Sequence, residues 1–248
     1  GDGGGGGGGG TRWLAANAAK RAGELFFLYY SAAWVAVFAV VVVTDVYLDW
    51  NDPQYLALGL LIALPSLVPL TGAFVHPSEL HVPFYERYFF KAAVWLFIFG
   101  FVGNWFITHY FYSVLGSTYS FPVLWNLNGV PAFLYLITHG YFTLYFTGAA
   151  ILLRRLRTAR WYRRQSSLTQ AVTFAATILA MCYVTAFMEA WSIQKCPYYN
   201  HSDTYLMYTV GSTFYGLYFV FGYPMFAAID ENEWWPLRRA VISALAAA

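Results

Sequence analysis

Hydrophobic residues run along this chain in long blocks, and polar residues are confined to short breaks between them. Several windows of about 20 residues carry almost no charge, which is the length a helix needs to cross a bilayer. Such segments must be helical, because an open strand edge could not satisfy its backbone in lipid. The predicted fold is therefore all-α, a polytopic integral membrane helix bundle. Six spans are predicted, at residues 25–45, 55–75, 88–108, 130–153, 168–194 and 205–228.

The spans define the expected domain organisation. Residues 1–12, mostly glycine, are predicted to form a disordered N-terminal arm. Residues 13–240 form the transmembrane domain, and residues 241–248 are predicted to begin a further helix.

Composition supports membrane insertion, since the chain is 59% hydrophobic and only 10% charged. A soluble domain of 248 residues would need more charge to cover its surface. The basic residues are also unevenly placed, because 13 lysines and arginines fall on one side of the predicted spans and Lys195 alone on the other. The positive-inside rule then places the N-terminus in the cytoplasm. The arginine-rich stretch 154–164 could also suit nucleic acid or anionic lipid, but topology explains it and no nucleic-acid partner is predicted.

Polar residues inside the predicted spans are the candidate functional groups, because such groups usually face the interior of a bundle. Asn104, His139 and Glu189 lie deepest, His109 lies at the end of a span, and Glu24 lies near an entry point. With a rise of about 1.5 Å per residue, the first four fall in the non-cytoplasmic half of the bilayer.

Two interpretations of these polar residues stay open. Asn104 and Thr108 could simply bond neighbouring helices together, which is worth about 1 kcal/mol in membranes. Glu189 is harder to explain that way, because a carboxyl group in hydrocarbon is stabilised in its neutral form and can then act as a general acid. A nearby imidazole, from His139 or His109, could share or relay its proton.

Aromatic residues make up 21% of the chain, and several lie beside the polar layer. Their faces can stabilise a positive charge by about 0.5–2 kcal/mol each. An acid with aromatic walls suggests carbocation chemistry on a hydrophobic substrate. No metal is predicted, because five histidines are too few for a membrane di-iron site and the spacing of His76 and His81 matches no helical face. The aromatic candidates for substrate binding are Trp105, Tyr110, Tyr208 and Tyr215.

Several stretches together resemble the cycloeucalenol cycloisomerase family of sterol-biosynthesis enzymes. The matching stretches occur in the family's order along nearly the whole chain. They include WLAANAAKRAGELFFLYY (13–30), ERYFFKAAVWLFIFGFVGNWFITHYFYSVLGSTYSFP (86–122), NGVP (128–131), LRRLR (153–157), PYY (197–199) and MYTVGSTFYGLYF (207–219). The loop with His76 and His81 does not match the family pattern.

The resemblance implies opening of the 9β,19-cyclopropane ring of cycloeucalenol to give obtusifoliol, in an endoplasmic reticulum membrane and without a cofactor. We predict that Glu189 donates the proton and that His139 or His109 acts as base or relay. Asn104 is predicted to orient one of these groups, and Glu24 is the rival carboxylate at the other side of the membrane.

The remaining predictions concern the ligand and the alternatives. The aromatic candidates Trp105 and Tyr215 are predicted to shield the cation, and the sterol is predicted to enter from the bilayer. One alternative is an isomerase acting on another sterol bond, such as a Δ8–Δ7 shift. Another is a lipid-binding or transport protein, which is disfavoured because the polar residues gather in one half of the membrane. The sequence does not predict an oligomeric state.

Overall fold

The computed structural model describes residues 10–67 and 76–248. Most of the predicted arm 1–12, and the end of the predicted span 55–75, lie outside these residues. The helices are α1 (Ala18–Val43), α2 (Asp52–Leu67), α3 (Tyr88–Val114), α4 (Ala132–Thr158), α5 (Arg160–Arg163), α6 (Ser167–Ile193), α7 (Thr204–Leu206), α8 (Ser212–Ala227) and α9 (Leu237–Ala247). Short 3-10 turns cover Val46–Asp49, Pro77–Glu79 and Phe84–Glu86, and a π-helical turn covers Met207–Gly211.

Four helices, α1, α3, α4 and α6, are long and apolar enough to cross a membrane. They confirm a polytopic all-α membrane bundle and account for four of the six predicted spans. The other two predictions correspond to α2, which has 16 residues, and to α7, the π turn and α8, which follow one another over residues 204–227. The fold class is therefore confirmed, whereas four of the six predicted spans meet the length and hydropathy of a membrane-crossing helix within the described residues.

Two long helices begin where the sequence supplies a capping side chain. The Asn17 Oδ1 atom accepts hydrogen bonds from the backbone N–H groups of Ala19 and Lys20 at the start of α1. Ser166 Oγ accepts from the backbone N–H of Thr169 at the start of α6. Such caps satisfy backbone donors that have no partner within the helix.

Helix α4 lies at the centre of the bundle, and α1, α2, α3, α8 and α6 all pack against it. Its neighbours also pack against one another in sequence, α1 on α2, α2 on α3, α3 on α8 and α8 on α6. Helix α9 packs on α3 and α8, and the indole of Trp95 donates to Ser243 Oγ at 3.2 Å. The helix predicted to start at residue 241 starts at Leu237.

An aromatic core joins α3, α4 and α8. Phe146 contacts Trp95, Phe99 and Phe219 at ring centroid distances of 5.3, 5.2 and 5.9 Å, and these four rings are buried. Aromatic side chains bury 150–250 Å² each, so such a cluster contributes strongly to packing.

Four two-residue strands, which the sequence pattern did not indicate, pair the segments that connect the helices at one end of the bundle. They are β1 (Thr118–Tyr119), β2 (Asn126–Leu127), β3 (Val130–Pro131) and β4 (Tyr199–Asn200). Strand β1 pairs antiparallel with β4, and β2 with β3. The arginine-rich segments gather at the other end, where the backbone N–H of Arg12 donates to Thr158 Oγ1 at 2.9 Å. We refer to these as the strand end and the arginine end.

Helices α2 and α4 approach closely at Gly140. A Cβ atom built there would lie 2.2 Å from Cγ2 of Ile62, which is fully buried. We expect Gly140→Ala to lower the free energy of unfolding by about 1–3 kcal/mol, because the added methyl overpacks the interface. The Gly140→Ala/Ile62→Ala double variant should lose less than the sum of the two single variants. Additive losses in thermal unfolding would contradict this contact.

Candidate functional site

A cavity with about 1450 Å³ of empty space, open mouth included, lies in the strand-end half of the bundle. Helices α1, α2, α3, α4, α6 and α8 all contribute to its wall. Its deepest lining residues include Gly103 and Phe142, about 15–17 Å from the strand-end termini of α3 and α4 at 1.5 Å per residue. Most of the residues that line it are apolar or aromatic, as is usual for the binding sites of small hydrophobic molecules.

Aromatic rings cover the cavity at the strand end. This aromatic cap consists of Tyr47, Tyr55, Tyr119, Phe121 and Tyr199, all of which line the cavity. Phe121 contacts the rings of Tyr55 and Tyr119 at 5.5 and 6.2 Å, and Tyr119 contacts Tyr199 at 5.3 Å. The hydroxyl of Tyr55 donates to the Tyr47 carbonyl oxygen at 2.7 Å. The cap therefore links four separate segments of the chain.

Glu189 has the one carboxyl group among the described residues that line the cavity. The hydroxyl of Tyr215 donates to its two carboxyl oxygens, at 3.2 Å to Oε1 and 3.1 Å to Oε2. Tyr145 is a second phenol beside this carboxyl group. No ion pair of Glu189 occurs within the described ranges. The site thus combines an acid, phenolic donors and an apolar surround.

Close packing of α8 on α6 places Tyr215 beside Glu189. A Cβ atom at Gly216 would lie 3.3 Å from the backbone C and O atoms of Cys182, so a glycine allows the two helices to approach. The π-helical turn that precedes α8 also reaches the cavity, because Met207 and Gly211 line it. Single π-helical turns are frequent at functional sites.

The α3 wall contributes Asn104 and Thr108 to the cavity. The Asn104 Nδ2 atom donates to the Gly100 carbonyl oxygen at 3.0 Å, within its own helix. Its side-chain oxygen is an acceptor, which is the role that a ligand hydroxyl requires. Asn104 therefore lines the predicted site, but its side chain bonds the backbone of its own helix and not a histidine.

His139 lies outside the cavity wall, on the face of α4 toward α2 and α3. It is 1% exposed, its Nε2 atom lies 2.8 Å from Ser66 Oγ, and its ring is 6.2 Å from Phe97. Its neighbour Thr138 lines the cavity instead. Consecutive helical residues point about 100° apart, so similar depth did not imply a shared pocket.

His109 holds the β2–β3 hairpin and does not line the cavity. Its Nε2 atom donates to the Asn128 carbonyl oxygen at 2.9 Å, and Asn128 Nδ2 donates to the Trp105 carbonyl oxygen at 2.9 Å. Asn128 and Gly129 have φ angles of +53° and +72°, as a two-residue Asn-Gly hairpin turn requires. His109 therefore stabilises the turn in the NGVP motif.

The other three aromatic candidates are not among the residues that line the cavity. The Trp105 ring stacks on Phe101 at 5.8 Å, and the Tyr110 ring contacts Phe214 at 5.3 Å. The hydroxyl of Tyr208 donates to Gln194 Oε1 at 2.9 Å. Of the four predicted aromatic substrate contacts, the structure places Tyr215 at the cavity.

Glu24 lies at the arginine end, in a buried ion cluster formed by Lys20, Glu24, Arg154 and Glu231. Arg154 Nη2 lies 2.5 Å from Glu24 Oε1, and Arg154 Nε lies 2.7 Å from Glu231 Oε1. Lys20 Nζ lies 2.9 Å from Glu231 Oε2. Although burial acts to raise the pKa of Glu231, Arg154 and Lys20 together lower it to about 2. Both carboxyl oxygens of Glu24 accept hydrogen bonds from Arg154.

A neighbouring ion pair extends this cluster toward α3. Lys91 Nζ lies 2.6 Å from Asp230 Oδ2 and donates to the Trp235 carbonyl oxygen at 2.7 Å. Lys91 is fully buried, and Asp230 is 3% exposed. The Lys91 side chain therefore does not extend to the membrane surface, and instead joins α3 to the segment after α8.

Sequence reasoning missed the tyrosines of α4. Thr138 and Tyr141 line the cavity, and Tyr145 lies beside Glu189 on the same side of the helix. The spacings of three and four residues could have shown this shared face. His139 was chosen for its depth in the membrane. The side of the helix on which a residue lies identifies Thr138, Tyr141 and Tyr145 instead.

Comparison with known proteins gives one match that covers almost the whole chain. The chain is 38% identical over 242 residues to the cycloeucalenol cycloisomerase of Arabidopsis thaliana, covering 95% of this chain and 84% of that protein. No family model matches the chain, and no solved structure matches it.

Proposed function

Because the chain belongs to the cycloeucalenol cycloisomerase family, we propose that it is an isomerase that opens the cyclopropane ring of a membrane sterol at Glu189. The observation that supports this site is the carboxyl group of Glu189, which lines a mostly apolar cavity between the helices and accepts hydrogen bonds from the phenol of Tyr215. Cycloeucalenol is the proposed substrate, and obtusifoliol the proposed product.

The first step of the proposed reaction is proton donation. The Glu189 carboxylic acid gives its proton to C19 as the C9–C19 bond breaks, which leaves a methyl group and a cation at C9. An apolar surround favours the neutral acid before this step. The hydroxyl of Tyr215 then stabilises the carboxylate that forms, because hydrogen bonds to an ionised acceptor are the stronger ones.

We propose that the same carboxylate completes the reaction. The C8–H bond breaks, its electron pair forms the C8–C9 double bond, and the proton returns to Glu189. The acid is regenerated without a net change in protons or electrons. This assignment replaces the imidazole base of the sequence prediction, because His109 and His139 do not line the cavity.

Aromatic faces around the cavity suit the cationic intermediate. Phe111, Tyr141 and Tyr215 line the wall, and the ring of Phe111 contacts that of Tyr215 at 5.5 Å. Each properly placed face contributes about 0.5–2 kcal/mol toward stabilising a positive charge.

We propose that the arginine end faces the cytoplasm and that the protein resides in the endoplasmic reticulum membrane. The 13 lysines and arginines on that side, against Lys195 on the other, support this orientation through the positive-inside rule. The cavity would then lie in the lumenal half of the bilayer. A glycosylation acceptor inserted beside Trp161 should stay unmodified in microsomes, and its modification would reverse the assignment.

The direct test incubates membranes that contain the chain with a 9β,19-cyclopropyl sterol. The expected product has the same mass, a new methyl group and a Δ8 double bond, identified by mass spectrometry and NMR. A Δ7 product from a Δ8 sterol would instead support the double-bond isomerase. Saturable sterol binding with unchanged sterol recovered would support a lipid-binding protein.

Tyr215→Phe is expected to lower kcat by about 10–100-fold, because one hydrogen bond to the Glu189 carboxylate is lost in the transition state. KM should change little, since the ring remains in place. Tyr208→Phe is the matched control, because that hydroxyl bonds Gln194 outside the cavity. Equal activity of the two variants in a sterol conversion assay would contradict the role of Tyr215.

A further inference from the structure

The helices around α4 do not form a closed ring. Helices α1 and α6 both pack against α4, and each packs against a further neighbour, α1 on α2 and α6 on α8. Helices α1 and α6 do not pack closely on each other in the described part of the chain. A gap between these two helices therefore runs along one side of α4.

This gap leads into the cavity. Phe38, Val41 and Val42 of α1 line the cavity, and so do Ser192 and Ile193 of α6. Within the described residues, no close packing of α1 on α6 closes this side of the cavity. The ring of Phe38 lies 5.9 Å from Tyr141 of α4, so α4 forms the back of the opening.

The other two routes into the cavity are obstructed. Toward the strand end lies the aromatic cap, whose rings contact one another from Tyr55 to Tyr199. Toward the arginine end lies the aromatic core, where Phe142 contacts Phe99 and Phe219 at 5.8 and 5.4 Å. The side of the bundle, at bilayer depth, is the route that neither of these aromatic groups obstructs.

The outward faces of both helices beside the gap are apolar. Val40 of α1 is 62% exposed, and Val184 and Trp191 of α6 are 57% and 53% exposed. Glu189 is the one acidic or basic residue of α6, and it faces the cavity. Such a rim favours a hydrocarbon ligand over an ionic one, because a charge would lose its hydration there.

We infer that the gap between α1 and α6 is a lateral portal through which a membrane sterol enters the cavity directly from the bilayer, and that Val42 limits its width. The identity of the ligand rests on the proposed function, whereas the portal itself rests on the helix arrangement. The portal also leaves room for a sterol tail to remain among lipid chains while the ring system reaches Glu189.

A thiol reporter inside the cavity tests the portal without requiring catalysis. Ala190 lines the cavity and is 8% exposed, so Ala190→Cys is introduced after Cys182 and Cys196 are replaced by alanine. The full chain in lipid nanodiscs is treated with dodecyl maleimide or with a membrane-impermeant sulfonated maleimide. We expect dodecyl maleimide to react at least about tenfold faster, since each methylene favours the bilayer by about 0.8 kcal/mol.

The second part of the experiment enlarges a side chain at the edge of the portal and measures the same labelling rate. Val42→Trp should slow dodecyl maleimide labelling at least about fivefold, because the indole fills the opening. Val40→Trp is the control, since this neighbour faces outward and does not line the cavity; its labelling should stay within about twofold of the parent. If Val42→Trp is not monodisperse, Val41→Phe takes its place.

The outcomes separate the portal from the proposed function. Faster labelling by the sulfonated reagent, or identical rates in the Val42→Trp and Val40→Trp proteins, would overturn the portal. Slow labelling of Ala190→Cys in the presence of excess cyclopropyl sterol is expected on both proposals. Failure of the sterol to protect, with the labelling pattern intact, would count against the sterol as ligand and leave the portal standing.

Discussion

Replacing Glu189 by glutamine is expected to lower turnover of a cyclopropyl sterol by at least about 10³-fold, because general acid–base catalysis typically contributes 10²–10⁴-fold and both proposed proton transfers use this group. Glutamine keeps the size of the side chain and can still contact Tyr215, but it cannot donate a proton to carbon. The measurement is conversion of the sterol by equal amounts of purified protein in nanodiscs, and complementation in cells that lack the endogenous isomerase.

The fold should survive this substitution. Glu189 has no ion pair among the described residues and lies against an open cavity, so its removal leaves no buried charge without a partner. We expect the Tm of Glu189→Gln to equal or exceed that of the parent, and a neutral sterol to bind with a similar Kd. Loss of activity together with loss of folded protein would remove the catalytic interpretation.

Glu24→Gln is the matched control, since it changes the rival carboxylate at the opposite end of the bundle. Glu24 is fully buried and paired with Arg154, so this variant should lose stability while the folded fraction keeps its activity. Near-normal turnover in Glu189→Gln, with turnover per folded molecule lost in Glu24→Gln, would reverse our assignment of the acid.

The sequence predicted the fold class well because membrane insertion depends on average hydrophobicity over about 20 residues. It selected Glu189 as a candidate for a related reason, since a carboxyl group in hydrocarbon has few structural explanations. The structure places Glu189 in the cavity wall, and its role as the acid stays a prediction. The two shorter helices, α2 and α8, were harder to define. Helix α2 has 16 described residues, and α8 is preceded by a π turn that no average hydrophobicity reveals.

The histidines show why depth alone was insufficient. Thr138 and His139 lie at the same depth on α4, but one lines the cavity and the other bonds Ser66. Which face of a helix meets a cavity depends on how neighbouring helices pack, and that depends on contacts such as Gly140 with Ile62. These contacts link residues far apart in sequence, so periodicity within one helix does not encode them.

The charges at the arginine end were predicted as topology signals, and the structure gives several of them a second role. Arg154 is 4% exposed and forms paired hydrogen bonds with the carboxylates of Glu24 and Glu231. It joins α4 to α1 and to the segment after α8. A basic residue counted toward the positive-inside rule is therefore also a contact between three parts of the bundle.

Arg154→Met is expected to lower the free energy of unfolding by about 3–5 kcal/mol, because it leaves Glu24 and part of Glu231 buried without their partner. The Arg154→Met/Glu24→Gln double variant should be less destabilised than the sum of the single variants, since the stranded charge is removed. Glu233→Gln is the control: its pair with Arg239 is also short, at 2.6 Å, but both side chains are about half exposed. Such exposed pairs contribute about 0–1 kcal/mol.

Acid titration provides an independent measurement of the same cluster. The pKa of Glu231 is lowered from 4.5 to about 2, so its pairing stabilises the fold fully above pH 4.5 and the contribution is lost as the pH falls through about 2. Thermal unfolding of the parent should therefore show decreasing stability across this window. In Arg154→Met the dependence should be weaker, because the guanidinium is one of the two cations that lower this pKa and only Lys20 remains. A parallel decline in both proteins would show that Arg154 does not set the pKa of Glu231, and that the loss of stability in Arg154→Met has another origin.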